Sequence, residues 1–554
     1  MTRQFPMKKP LLLSLLCLAL LAASPAGAIP PDEQPKLVVT LVVDQMRWDY
    51  LTRFADRYCE GGFRRLMREG YNCNRTLINY LPAITAVGHS SIGTGSVPAL
   101  TGIVGNGFYV DGHWTYCTTD DGVKSIGTDD PEDSAGKQSP HLLLCYTLGD
   151  ELRLATNFRS KTVGVALKDR ASILTTGHAA NAAYWFDGHS QRFITSSYYM
   201  DTLPQWAQDF NARRLGQQYM DSLLPDTRQC RWPLLYPEDT YVQSAPDGQE
   251  WEDDMWRSLE YSPWGQTITF DMAKAAVLGE QLGNNPAGVP DLLVVSISPT
   301  DKVAHQLSPN SIWVEDLFLR LDRDLADFLS FLDEQVGEGN YILALTADHA
   351  GMHNTKFMQD HRLPASAWKA DLIRLQLDSL LSERFPDEQK PFVRDMGNLQ
   401  VRFQNHILAS AAFPDILSTA IDFLSRQPQI AYAFSPEAIP DYLPEPIRTY
   451  VVNGFNRRRC GQIQLIYENG VMDDYSPSLD ELRSPTHIRK GTTHSVWSPD
   501  DTHIPLIFFG WHVPQGWDNR THHITDIAAT LAALLNIQQP NACVGEPIIM
   551  EAAE

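Results

Sequence analysis

A chain of 554 residues with 67 acidic against 45 basic side chains has a formal charge of -22. That excess argues against broad nucleic-acid binding, because a phosphate backbone demands concentrated Lys and Arg, while leaving room for a locally positive site for a small anion. At 43% hydrophobic and 10% aromatic residues, the chain is globular in composition, and it is long enough to bury a large core and to hold more than one structural unit.

The first 28 residues have the pattern of a secretory signal. Arg3, Lys8 and Lys9 form a positive start, LLLSLLCLALLAA from Leu11 to Ala23 is the apolar centre, and Ala26-Gly27-Ala28 offers a small-residue cleavage site. The apolar run is short for a stable membrane span, so a periplasmic or secreted protein with no membrane span after cleavage is expected. Seven cysteines would remain, with no CxxC array and no readable pairing.

KLVVTLVVD, TVGVALK, DLLVVSIS and NYILALTAD read as buried parallel strands, with IPLIFFG as a fifth. Unbroken Val, Leu and Ile runs are what a sheet covered on both faces requires. Between them, SIWVEDLFLRLDRDLADFLSFLDEQV carries apolar residues at helical spacing. The expected fold is therefore α/β, a mainly parallel central sheet with helices on both faces. Core segments are expected over 36–187, 291–353 and 490–550. Two stretches lack the strand rhythm, 188–290 with PQWAQDF and YSPWGQ, and 354–489 with DYLPEP and VNGFNRRR. They read as inserted cap or side regions.

In open α/β sheets, ligands gather beyond the carboxyl ends of the strands. Those ends carry Asp44 in VVDQMRWD, Asp301 and His305 in PTDKVAHQ, and Asp348-His349 in TADHAG with His353 beyond, while His494 stands in RKGTTHS before the last apolar strand. Each residue alone reads equally well as a cap, a turn or an exposed side chain. Together they form a set of carboxylates and imidazoles suited to zinc. Asp301, His305 and His494 make one ligand group, and Asp44, Asp348 and His349 a second that lacks one oxygen. A pair of ions about 4 Å apart clamps the attacking and leaving oxygens of an in-line displacement.

Thr85 in PAITAVGHSS can supply the missing oxygen and act as nucleophile. His89 then becomes unnecessary as a base, and GHSSIG does not place Ser90 or Ser91 in a GxSxG elbow. Three aspartates and a Thr85 alkoxide balance two zinc ions, so a phosphate dianion needs further donors. Lys168 and Arg170 in ALKDRAS fit that need, and strand alternation would put both on one side of the chain. Asn106 in TGIVGNGFY offers an uncharged amide donor or, between two glycines, is a turn residue.

Taken together, VVDQMRWD, PAITAVGHSS, GIVGNGFY, LKDR, TDKVAHQ, TADHAG and GTTHS resemble the alkaline phosphatase superfamily, and more narrowly its phosphate-irrepressible periplasmic branch. The resemblance implies two Zn2+ ions, a threonine nucleophile passing through phosphothreonine, and small phosphate monoesters as substrates. It implies metal ligation by Asp44, Asp348, His349 and Thr85 and by Asp301, His305 and His494, with Asn106, Lys168 and Arg170 on the phosphate. The sister branch of phosphodiesterases and nucleotide pyrophosphatases shares the metal ligands, threonine and asparagine but generally lacks the Lys-Arg pair. A phosphodiesterase is therefore the alternative, and a zinc-containing binding protein without catalysis a minor one. Sulfatases need a modifiable Cys or Ser in the nucleophile motif, which PAITAVG lacks.

Overall fold

The computed structural model describes residues 34–221, 232, 234–236, 259–474, 483 and 491–552. The signal-like segment lies outside them. The described residues from Pro35 onward form one compact unit.

Its centre is a sheet built from β1 (Leu37–Val43), β2 (Tyr71–Leu77), β3 (Thr162–Ala166), β4 (Ala182–Asp187), β5 (Arg192–Ser196), β6 (Asp291–Ile297), β7 (Tyr341–Thr346) and β8 (Leu506–Gly510). Their order is β2-β8-β7-β1-β6-β3-β4-β5, and two short strands with the eight-residue Gly516–His523, which pairs with β2, complete eleven. The middle five, from β7 to β4, run parallel. Every residue of β1, β6 and β7 is buried, which is why these strands read as continuous aliphatic runs. Each fully buried aliphatic side chain there contributes about 1.5–3 kcal/mol relative to exposure.

IPLIFFG departs from expectation in one respect. As β8 it pairs with β7 in antiparallel register, Leu506 opposite Thr346 and Gly510 opposite Ile342. The sheet is thus mixed, with a parallel centre, antiparallel pairings on both sides of it, and a further parallel pairing of Gly516–His523 with β2.

Helices cover the sheet. They include α1 (Thr85–Thr94), α2 (Asp169–Thr176), α3 (Pro263–Glu280), α4 (Pro299–Leu307) and α5 (Ile312–Leu332). The spacing read from SIWVEDLF appears as α5, whose buried residues recur at helical intervals and whose N-terminus is capped by Ser311 accepting from the Trp313 N–H. The 188–290 stretch feeds the centre at both ends, because β5 extends the sheet and α3 packs against β6 and α5. The 354–489 stretch builds its own four-stranded antiparallel sheet from Val393–Gly397, Gln400–Phe403, Ile430–Phe434 and Ile463–Tyr467. Leu377, Leu381, Val401, Phe403, Ile463 and Leu465 pack within it.

Between α3 and α5, Asp324 accepts a hydrogen bond from Thr267 Oγ1 at 2.9 Å. Burial pushes its carboxyl up to about 7, with Asp271 adding to the rise against Lys274. A carboxyl raised on folding holds its proton in the native state, so its contribution to stability is complete below pH 4 and is lost as pH rises through 7. Asp324→Asn is expected to flatten the fall in Tm between pH 4 and 7.5, measured by thermal melts across that range; an unchanged slope would refute the assignment.

Candidate active site

β1 pairs with β7 on one side and β6 on the other, so the mouths of the three strands are level. Asp44 follows β1, and its N–H donates to the Ile297 carbonyl at 3.0 Å, at the end of β6. Asp301 lies in the first turn of α4 with His305 one turn later, and Asp348 and His349 follow β7. His494 arrives from the far end of the chain, its Nδ1–H donating to the Ala83 carbonyl at 2.8 Å. Thr85 opens α1, and its hydroxyl lies 3.4 Å from His349 Nε2. That helix approaches closely because position 88 is glycine; a Cβ there would stand 2.2 Å from the Asp348 carbonyl oxygen.

The structure therefore brings the six Asp and His candidates together beside Thr85. In each of two groups, Asp44–Asp348–His349 and Asp301–His349–His494, the ligand atoms lie within 4.8 Å of one another. His349 stands between the two, its ring stacked on His494 at 3.5 Å. His305 reaches the second group from the other side, Nε2 3.1 Å from Asp301 Oδ1.

The hydrogen bonds determine how these imidazoles face. The Nδ1 atoms of His305, His349 and His494 each meet a backbone carbonyl, of Thr492, Ala350 and Ala83, at 2.9, 2.9 and 2.8 Å. A carbonyl oxygen accepts and cannot donate, so each Nδ1 carries the hydrogen. The Nε2 atoms point at carboxylates, 3.4 Å to Asp348 and 3.5 Å to Asp44 for His349 and 3.7 Å to Asp301 for His494, and in the neutral rings of His349 and His494 they present lone pairs. Burial holds both His349 and His494 below the ordinary histidine range, His494 well below it with His349 and His305 adding to the effect. Burial likewise drives the Asp44 carboxyl well up, reinforced by Asp301 and Asp348. Asp44 Oδ1 and Asp348 Oδ2 are buried without a hydrogen-bond partner. Lone pairs facing carboxylates repel unless cations lie between them, and a carbonyl on the outer nitrogen is the usual support for a metal-binding histidine. The residues present fit a pair of divalent cations.

Lys168 and Arg170 do not share one extended side as strand alternation suggested. The chain turns into α2 at Asp169, with Lys168 as its extended cap and Arg170 in its first turn. Lys168 Nζ bridges Asp44 and Asp301, 2.6 Å from Asp301 Oδ2, which ties the two ligand groups. Arg170 turns to the Tyr116 hydroxyl at 2.9 Å. Asn106 Oδ1 accepts the Ala86 N–H at 3.0 Å at the start of the Thr85 helix. His89 is buried, hydrogen-bonded to the Thr85 carbonyl and Ser296 Oγ at 2.9 Å each, with its Nδ1 also 3.3 Å from Asp348 Oδ2, so it braces the helix against the acid cluster. His353 stands apart, bonded to Asn310 Oδ1 at 2.7 Å.

Sequence reasoning passed over Gln45. Its side-chain amide donates to Asp301 Oδ1 at 2.8 Å and its N–H to Asp348 Oδ1 at 3.2 Å. A φ of 58° at this non-glycine residue turns the chain sharply after Asp44. Adjacency to Asp44 was the one available signal. Tyr116 and Asp169, both at Arg170, were likewise missed.

A mixed α/β sheet whose central strand mouths gather acids and imidazoles is the architecture of the alkaline phosphatase superfamily. Within it, the chain belongs to the type I phosphodiesterase / nucleotide pyrophosphatase family, whose model matches residues 38–488. It is 43% identical to a Myroides odoratus protein named a calcium-transporting ATPase, over 94% of this chain and 95% of that one. It is 42% identical to alkaline phosphatase PafA of Elizabethkingia meningoseptica, over 98% of each. Crystal structures of PafA superpose on 94% of this chain and 99% of theirs with a TM-score of 0.85, the wild type at 41% identity and a mutant substituted at a threonine, an asparagine, a lysine and an arginine at 40%.

Proposed function

We propose that the chain is a two-zinc phosphatase that hydrolyses small phosphate monoesters to an alcohol and inorganic phosphate through a phosphothreonine on Thr85. The observation that carries this reading is the trio of imidazoles, each bonded at Nδ1 to a backbone carbonyl, whose Nε2 atoms face buried carboxylates beside the Thr85 hydroxyl. Asp44, Asp348, His349 and Thr85 would hold one ion and Asp301, His305 and His494 the other. Bound there, zinc lowers the proton affinity of an attached hydroxyl and offsets charge on a leaving oxygen.

Thr85 Oγ attacks phosphorus in line, and the bond from phosphorus to the ester oxygen breaks to release the alcohol. Water then cleaves the phosphothreonine, restoring the hydroxyl. α1 holds Oγ in position for both displacements, and Gly88 keeps that helix against Asp348. Asn106, Lys168 and Arg170 hold the nonbridging oxygens and oppose the charge that develops on them. Lys168 serves both roles, since the same ammonium links the two ligand groups. The chain intervals separating Thr85, Asn106, Lys168 and Arg170 equal those separating the four substituted positions of the PafA mutant, which supports assigning these residues to the phosphate.

The leader-like start of the sequence supports a periplasmic or secreted setting, and among the described residues no helix is long and apolar enough to cross a membrane. The family model favours a second reading, a phosphodiesterase with the same metal centre. Turnover of an aryl phosphate monoester and its methyl diester separates the two. The monoester is expected to be preferred, and Lys168→Ala and Arg170→Ala are each expected to lower its kcat/KM by about 10²-fold or more, with a smaller loss on the diester. Equal losses on both substrates would overturn the monoesterase reading.

A further inference from the structure

The residues that bring Arg170 to its place belong to neither the metal ligands nor the four residues assigned to catalysis. Residues Gly107–Val110 and His113–Tyr116 form an antiparallel hairpin. It begins directly after Asn106 and ends at Tyr116, with Gly107 paired to Tyr116 across its base and the Cys117 N–H donating to the Asn106 carbonyl at 3.0 Å. At that base the Tyr116 hydroxyl accepts from Arg170 Nη1 at 2.9 Å and donates to Asp169 Oδ1 at 2.6 Å. Burial pushes the Tyr116 hydroxyl well above its ordinary value, so it keeps the proton it donates. Asp169 also accepts the Arg170 backbone N–H.

From this geometry we propose that Tyr116 is a positioning residue that aims Arg170 at the transferred phosphoryl group and thereby sets the preference for monoesters over diesters. The inference rests on the phosphomonoesterase reading above. Its logic is that a guanidinium bound through one nitrogen to a phenol, itself fixed by Asp169, loses the freedom to swing away, leaving its remaining donors for an oxyanion. A monoester brings one more charged oxygen than a diester, so a misaimed Arg170 penalises the monoester more. The hairpin also makes Asn106 and Arg170 one mechanical unit, because the strand pair that ends at Tyr116 starts beside Asn106.

The test is a double-mutant cycle on the full chain in its metal-loaded form, with Tyr116→Phe, Arg170→Ala and the two combined. Phenylalanine keeps the ring, which lies 6.0 Å from the Arg170 guanidinium carbon, and removes the hydroxyl alone. Tyr116→Phe is expected to lower monoester kcat/KM by about tenfold, the size of a hydrogen bond to a charged group, and to change methyl diester kcat/KM by less than about twofold. In the Arg170→Ala chain the same change is expected to have no further effect. Equal losses on both substrates, no loss on the monoester, or a full tenfold loss persisting without Arg170 would each overturn the assignment. Wild-type preference for the diester would sink the functional reading instead. Tyr116 is then judged by inorganic phosphate binding to the same four proteins. Weaker binding in Tyr116→Phe but not in the Arg170→Ala background upholds the assignment, and any other pattern, including undetectable binding, rejects it.

Discussion

Thr85→Ala is expected to lower kcat/KM for an aryl phosphate by at least about 10³-fold and to abolish trapping of a phosphorylated chain after an acid quench. Losing the nucleophile of a covalent mechanism removes the first displacement outright, and the residual rate comes from the surrounding electrostatics. The Thr85 hydroxyl touches one protein group at the centre, His349 Nε2 at 3.4 Å, while the six Asp and His side chains hang from other elements. Metal content measured by elemental analysis should therefore be largely retained in this variant. Activity within tenfold of wild type, or phosphate still trapped on the chain, would remove Thr85 from the role.

The second large effect is expected from metal removal. Three carboxylates, Asp44, Asp301 and Asp348, are buried close together beside Lys168, where they repel one another, and they face the Nε2 atoms of His305, His349 and His494. Stripping with a chelator leaves this repulsion uncompensated. Turnover should fall below detection and Tm should drop, because ions that bind the native state alone stabilise it by about 2.7 kcal/mol at a hundredfold excess over Kd. Added zinc should restore both, with two equivalents bound per chain. Magnesium alone should restore neither, since imidazole-rich sites suit zinc over an ion that demands an oxygen octahedron. Full activity and an unchanged Tm in stripped protein would contradict the two-metal reading.

The parallel core and the acids at its mouths were legible because burial on both faces forces continuous aliphatic strands, and such strands end visibly. Strand direction was not legible in IPLIFFG: burial on two faces demands the same residues whichever way a strand runs, and β8 is antiparallel to β7. The alternation drawn through LKDR failed because the chain leaves its extended path at Asp169, an acid favourable in the first turn of a helix. Tyr116 could not be found by spacing. Its partner Arg170 is 54 residues away, and the hairpin carrying it has neither the aliphatic run nor the strand-end acid that mark the central sheet.

The grip on that hairpin extends outward. Arg394 donates to the Gly112 carbonyl at its tip at 2.7 Å, Asn398 to the Gly107 carbonyl at 3.0 Å, and the Tyr109 ring lies against both Arg394 and Arg402. All three partners come from the 354–489 stretch, while the acids and imidazoles follow the central strands, sit in α4 or, as with His494, lie beyond that stretch. The outer hold on the hairpin that carries Tyr116 is thus mounted on a stretch that supplies none of the proposed metal ligands. If Tyr116 aims Arg170 as proposed, substitutions in that stretch would reach ester preference through the hairpin while leaving the acids and imidazoles in place.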